Sequence, residues 1–290
     1  MNNTYIAERL DIAALQRQLR TRLFGRQEHM IYFPAVDSTN TQAMQLALNG
    51  AEEGVVVVTD NQYAGRGRQG HQWVDVSGCN AITSLVLRPR FVSYLLVMLA
   101  ALAVVDAINE VCGVPASIKW PNDVLIEGRK VAGILIETSR DRAGRMVAIM
   151  GIGVNVNAHP TSSIQESAEN ETLLARATCL EVTCGHKVSR ERFIASLLRF
   201  IETSYVALQD EVEEGAAASH PGSIVLASQR VRERWRSYLS TLGRTIDVRQ
   251  GGTILSGVAE DVNDNGELLL RLPTGTQISI TWGEIGYPTE

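Results

Sequence analysis

No two of the four cysteines, Cys79, Cys112, Cys179 and Cys184, are spaced as C-x-x-C. The N-terminus carries no secretory signal, so they read as reduced thiols and a cytoplasmic protein is expected. Nothing near Cys79 suggests a thiolate nucleophile. Long apolar runs are lacking too: the longest, Tyr94 to Val105, falls short of a bilayer span, and no membrane role is expected. Neither charge sign dominates. With 27 Lys and Arg against 32 Asp and Glu the net charge is −5, which argues against a basic face and a nucleic-acid partner. One helical stripe, Ile12, Leu15, Leu19 and Leu23 in Ile12 to Phe24, precedes a strand at Met30 to Phe33, leaving no room for a helix-turn-helix domain.

What remains is ordinary for a globular chain: 45% hydrophobic and 20% charged over 290 residues, enough for one large domain or two. The informative stretch is Val55 to Trp73. A β-branched run, Val55 to Thr59, reads as a buried strand and enters a loop with Gly65, Gly67 and Gly70 alternating with Arg66 and Arg68. Glycine permits positive φ and close approach, and arginine offers forked donors to carboxylate or phosphate, so an anion site at a strand end is expected. The spacing satisfies G-x-G-x-x-G. A dinucleotide turn would need a helix at the third glycine, and His71 to Gly78 has no helical period; a kinase-type loop would need Val where Gln72 stands.

Upstream, Val36 to Met44 leads a strand end into a helix, where Ser38 or Thr39 reads as a cap or as a pocket hydroxyl. Ala81 to Leu87 reads as a strand, and Tyr94 to Cys112 as an apolar helix ending at Gly113. Two strand-like runs then flank a turn at Glu127 to Lys130. Lys119, Asn122 and Asp123 gather around Trp120-Pro121; a lysine in so apolar a setting is either half of a Lys119–Asp123 pair or functional. Met146 to Val156 reads as a strand interrupted by Gly151 and Gly153, a sign of close approach. Asn155 reads equally as a pocket group or a structural one.

Jointly these motifs resemble the biotin protein ligases. The matching segments are Asp37-Ser-Thr-Asn40, Gln62-Tyr-Ala-Gly-Arg-Gly-Arg-Gln-Gly70 with Trp73, Lys119-Trp-Pro-Asn-Asp123, Arg129-Lys-Val-Ala-Gly-Ile-Leu135 and Gly151-Ile-Gly-Val-Asn155. Lipoate ligases, similar in fold, carry a different glycine-rich motif, with consecutive glycines and a downstream histidine, and that motif is absent here. Tyr63 and Gln69 depart from the expected pattern.

The resemblance implies ATP-dependent ligation of biotin to a lysine of a biotin carboxyl carrier domain through biotinyl-5′-AMP. It implies Arg66, Arg68 and Lys119 as catalytic groups. Biotin would lie against Ser38, Thr39, Asn40, Gln62, Arg66, Gly67, Arg68, Lys119 and Gly133. ATP or the adenylate would lie against Trp73, Asn122, Asp123, Lys130 and Asn155. Mg²⁺ would ride on the phosphates, with no protein metal site. The rival readings are a biotin-sensing transcriptional regulator, against which the short N-terminus counts, and a catalytically inactive biotin-binding protein, against which the intact cations count.

Downstream, His159 to Glu171 reads as irregular, and Thr172 to Thr178 and Ser189 to Glu213 as helices, the second with a core stripe of Phe193, Leu197, Phe200, Ile201 and Tyr205. Gly215 to Gly222 reads as a loop, and Arg230 to Arg236 as a solvated helix face with Val231 and Trp235 on its apolar side. From Leu242 short strands alternate with turn signals: Thr245 to Arg249, Ile254 to Asp261, Leu268 to Leu272 and Gln277 to Thr281. The expected fold is α/β. A mixed-sheet catalytic domain of the biotin/lipoate ligase type spans residues 1–241, with 1–29 a short helical extension, and an SH3-like barrel spans 242–290. A homodimer through an exposed sheet edge is compatible with the sequence.

Overall fold

The computed structural model describes residues 8–160, 176–217 and 226–288. Its main sheet has seven strands: β1 (Met30–Phe33), β2 (Val56–Thr59), β3 (Ala81–Leu87), β4 (Ser117–Lys119), β5 (Asp123–Ile126), β6 (Arg129–Arg140) and β7 (Met146–Val154). They lie in the order β1-β2-β3-β7-β6-β5-β4, parallel only between β1 and β2. The helices are α1 (Ile12–Gln18), α2 (Thr39–Leu48), α3 (Tyr94–Cys112), α4 (Leu180–Cys184), α5 (Arg190–Ala217) and α6 (Ala227–Tyr238). A second, antiparallel sheet of the SH3-like kind is ordered β11-β10-β9-β8-β12, from β8 (Thr245–Gln250), β9 (Thr253–Val262), β10 (Leu268–Arg271), β11 (Gln277–Ile280) and β12 (Glu284–Gly286).

Alternation along β7 organises the molecule, because successive strand side chains face opposite sides. Ala148, Met150, Ile152 and Val154 enter the main core under α3 and α5. Val147 and Ile149 face the other way, into a smaller core with Ala43 and Ala47 of α2. The α2 helix covers only part of that face. Beyond it the same row continues as Gly151, Gly153 and Asn155, and there the site opens.

The helix α3 spans the 19 residues expected of it, Tyr94–Cys112, and is long enough by length and composition to cross a membrane, although its longest apolar run, Tyr94 to Val105, falls short of a span. It is instead the buried core helix, with twelve side chains such as Leu96, Leu99 and Ile108 inside. Each large apolar side chain so buried contributes about 1.5–3 kcal/mol. Gly113 ends it in the left-handed conformation, as expected.

Four expectations are corrected. The first helix stops at Gln18, because Glu202 accepts the N–H groups of Arg22, Leu23 and Phe24 at 2.6, 2.8 and 3.0 Å and draws the chain out of helical register. Leu19 and Phe24 still reach the core. Residues 176–178 are extended rather than helical: Lys130 N–H donates to the Arg176 carbonyl at 2.7 Å and Thr178 N–H to the Lys130 carbonyl at 2.9 Å. The rest of that segment, 172–175, lies outside the described residues, as does 161–171. The helix α5 runs through Gly215 to Ala217, where alanines favour it, so the expected loop begins no earlier than residue 218. Finally, β12 is a fifth short strand that no apolar run announced.

One buried polar junction fixes the pocket's foundation. Asp60, at the end of β2, accepts from Arg190 at 2.8 Å, from the Leu10 N–H at 3.0 Å and from the Tyr32 hydroxyl at 2.5 Å. Arg190 also holds the carbonyls of Glu8 and Asn80.

Candidate active site

The glycine loop folds back on itself as a narrow ribbon. Trp73 N–H donates to the Gly65 carbonyl at 3.0 Å, and Gly67 N–H to the His71 carbonyl at 2.7 Å. Positive φ occurs at the tip, at Gln69 (55°) and Gly70 (82°). Gly67 is extended, at φ −113° and ψ −173°, so the conformational freedom expected of it is not used. Space is the constraint at Gly65, where a Cβ would lie 2.6 Å from both Gln62 Nε2 and the Trp73 carbonyl.

On one side of the cavity, Ser38 precedes α2 without a side-chain capping bond, so the capping reading of Ser38 and Thr39 gives way to the pocket reading. Thr39 donates to Gln62 Oε1 through its N–H at 2.8 Å and its hydroxyl at 3.1 Å. Ser84 Oγ lies 2.8 Å from Thr39 Oγ1 and 2.6 Å from Asn40 Oδ1. Asn40 Nδ2 donates to Glu137 Oε2 at 2.8 Å, and Arg66 Nη2 donates to the same oxygen at 2.8 Å. A continuous relay thus runs from Gln62 to Arg66. Gln62 is itself fixed through its N–H on Asp75, 2.8 Å away, whose carboxyl burial pushes above the ordinary aspartate range. Ser84, Asp75 and Glu137 were absent from the sequence reading. None of the three belongs to a local sequence motif that could have announced it.

On the other side stand Lys119, Asn122, Asp123 and Lys130. Lys119 and Asp123 are register partners across β4 and β5, yet the ion pair of Asp123 is with Lys130, at 2.7 Å. The expected Lys119–Asp123 pair is therefore replaced: β6 brings a second lysine closer to the carboxylate. Lys119 Nζ instead lies 5.4 Å from the ring centroid of Tyr287, which Arg244 approaches at 5.0 Å. Burial draws the Lys119 ammonium below the ordinary lysine range, against the nearby Asp123 charge. Arg68 donates to Asn122 Oδ1 at 3.0 Å, and Asn122 to the Ile134 carbonyl at 2.9 Å. The two loop arginines therefore diverge, one to each side.

Trp73 lines both compartments. Its ring lies where a Gly153 Cβ would be, 2.6 Å from Cε2, and 3.2 Å from where a Gly133 Cβ would be. Lys130 Nζ lies 5.8 Å from the Trp73 ring centroid. Gly151 makes the same allowance for Asn40, whose Oδ1 would be 2.0 Å from an added Cβ. The strand glycines thus admit Asn40 and Trp73, which in turn shape the cavity.

Two connected spaces result. One, of about 370 Å³, is lined by Thr39, Asn40, Gln62, Arg68 and Lys119 among others; its neighbour, of about 450 Å³, by Trp73, Lys130, Asn155, Arg176 and Tyr287 among others. Both are of ligand size. Asn155 satisfies both of its readings: Nδ2 donates to the Thr178 carbonyl at 3.0 Å, while its buried Oδ1, like the buried Trp73 Nε1, has no protein partner among the described residues. Buried polar atoms without partners are rare in folded proteins, and at a cavity wall they suit a ligand. The site can hold a carboxylate beside a phosphate, with cations between.

The chain is similar to known proteins over most of its length. The family model described as Biotin/lipoate A/B protein ligase family matches residues 32–157, and that described as Biotin protein ligase C terminal domain matches 241–285. The chain is 34% identical over 260 residues to the bifunctional ligase/repressor BirA of Bacillus subtilis (strain 168), covering 89% of this chain and 73% of that one. It is 34% identical to the biotin–[acetyl-CoA-carboxylase] ligase of Paracoccus denitrificans, covering 83% and 94%. Among solved structures it resembles the biotin protein ligase of Aquifex aeolicus in complex with biotin and ATP, with 25% identity, coverage of 89% and 97%, and a TM-score of 0.69.

Proposed function

The chain belongs to the biotin protein ligases, within the biotin/lipoate A/B protein ligase family, and from that premise we propose the following course for its reaction. The protein ligates biotin through biotinyl-5′-AMP. A biotin carboxylate oxygen attacks the α-phosphorus of ATP and pyrophosphate leaves. A lysine amine of the acceptor then attacks the acyl carbon, AMP leaves with the bonding pair, and the amine loses a proton as the amide forms. We assign the acceptor as a carrier domain of a biotin-dependent carboxylase.

The observation that carries the residue assignment is the first compartment, where Arg68 and Lys119 line the same space as Thr39, Asn40 and Gln62, Lys119 also lining the second. The first step brings two anions together, so fixed cations at their meeting point stabilise the transition state more than either ground state. Arg68 and Lys119 fill that role. Arg66, held by Glu137, serves to fix Asn40 and the biotin side. Trp73, Lys130 and the free Oδ1 of Asn155 take the nucleoside. Ser38, Thr39, Asn40, Gln62, Gly67 and Gly133 wall the biotin, and Asn122 and Asp123 order Arg68 and Lys130.

Among the described residues no group of three or more His, Cys, Asp or Glu side chains forms a metal cluster. The two carboxylates at the cavity, Asp123 and Glu284, are engaged by Lys130 and His71. We assign Mg²⁺ to the ATP substrate, on whose phosphates it would arrive. We divide the chain at residues 241 and 242; the match to the C-terminal domain model begins at 241, one residue before that boundary. All four cysteines are free thiols, which suits a reducing cytoplasm.

The test is ATP–pyrophosphate exchange. It should proceed only when biotin is present; exchange that ignores biotin, or none at all, would remove this reading.

A further inference from the structure

Lys130 shares its backbone with a residue that the sequence motifs do not include. Its N–H donates to the Arg176 carbonyl at 2.7 Å, and Thr178 N–H returns to the Lys130 carbonyl at 2.9 Å. Arg176 is thereby tied to β6 through its carbonyl, at the start of a short bridge completed by Thr178, and it lines both compartments. Its charge reaches the Lys119 ammonium, as does that of Lys130.

The cations of the site are unequally occupied. Arg66 is paired with Glu137, Lys130 with Asp123, and Arg68 is bonded to Asn122. The carboxylates at the cavity are Asp123 and Glu284, and the latter is held by His71. Arg176 has no ion-pair partner among the described residues, and its side chain is exposed to the cavity. Like charges gathered at Lys119, Lys130 and Arg176 repel one another, so the arrangement is complete only with an anion of several charges.

We infer that Arg176 binds the β- and γ-phosphates of ATP and holds the pyrophosphate as it leaves. This inference rests on the adenylation reading above. A guanidinium suits the task because its paired N–H donors match two phosphate oxygens at once. In this assignment Arg176 acts on the leaving pyrophosphate alone, so it serves the first step only.

The experiment follows both half-reactions in Arg176→Gln and Arg176→Lys, with thermal melts on the same preparations. The reverse of the first step, pyrophosphate-dependent conversion of pre-made biotinyl-5′-AMP to ATP and biotin, isolates the leaving group. Arg176→Gln should raise the KM for pyrophosphate on the order of ten- to a hundredfold, the range of a lost charged hydrogen bond. Arg176→Lys should recover part of it. Transfer from biotinyl-5′-AMP to an acceptor lysine should stay within about twofold of the parent. A KM for pyrophosphate unchanged in Arg176→Gln overturns the inference. So does an equal fall in transfer, which would mark Arg176 as holding the nucleoside or the fold. If the parent protein itself lacks biotin-dependent exchange, the adenylation reading fails first and this one falls with it.

Discussion

Replacing Lys119 with Gln separates charge stabilisation from structure more sharply than any other change at this site. Glutamine keeps the approximate length and a donor but removes the charge. Were Lys119 the partner of Asp123, its loss would leave a half-buried carboxylate alone, at about 3–5 kcal/mol. Asp123 keeps Lys130 at 2.7 Å, however, and Lys119 faces an aromatic ring rather than an anion. The stability change should therefore stay near ~1 kcal/mol, a shift of roughly 2–4 °C in Tm for a chain of this size. The adenylation rate should respond quite differently. Losing one donor aimed at developing charge costs on the order of a hundred- to a thousandfold, or roughly 2.7–4 kcal/mol. Single-turnover formation of biotinyl-5′-AMP measures it, and transfer from pre-made biotinyl-5′-AMP should suffer less.

The pH dependence follows from the lowered Lys119 ammonium. The folded protein releases this proton at lower pH than the unfolded chain does, so between the two values the unfolded state binds more protons. Stability therefore rises with pH through that window, and the penalty of burying the charge is fully present below it. Adenylation moves the opposite way, falling on the alkaline side before the ordinary lysine range. Lys119→Gln should lose both slopes. A large drop in Tm with adenylation nearly intact would refute the assignment.

Other changes test the walls of the site. Gly151→Ala and Gly153→Ala should divide the two substrates: the first displaces Asn40 and weakens biotin binding about tenfold or more, the second displaces Trp73 and weakens ATP instead, both by calorimetry. Gly65→Ala should destabilise by about 1–3 kcal/mol in a denaturant titration, because its Cβ meets a backbone carbonyl, whereas Gly67→Ala should be nearly neutral to folding. Asp60→Asn should cost about 3–5 kcal/mol in Tm-derived stability, because it leaves Arg190 buried without a counter-charge.

The sequence was most legible where chemistry needs neighbours along the chain. The glycine loop, Lys119 to Asp123 and the β7 glycines were each readable, and the fold brings them to one cavity. Pairing across the sheet was less legible. Lys119 and Asp123 sit four apart and looked like a pair, but β6 returned Lys130 to the same carboxylate from a separate strand. Ser84 and Glu137 were hidden for the same reason: neither belongs to a local motif, and only the placing of β3 and β6 against α2 explains them. Arg176 and Tyr287 carried no local motif. Gly67 was misread in its conformation because spacing shows that a glycine is wanted without showing whether φ or space demands it.

The grip of Asp60 on Leu10 gives the front of the chain a mechanical role. A load applied at residues 8–10 arrives at the Leu10 amide and the Glu8 carbonyl, and so at Asp60 and Arg190. Asp60 stands two residues from Gln62, whose side chain orients Thr39. Pulling or crowding at that end therefore acts as a lever on the biotin side, with Asp60 as its fulcrum.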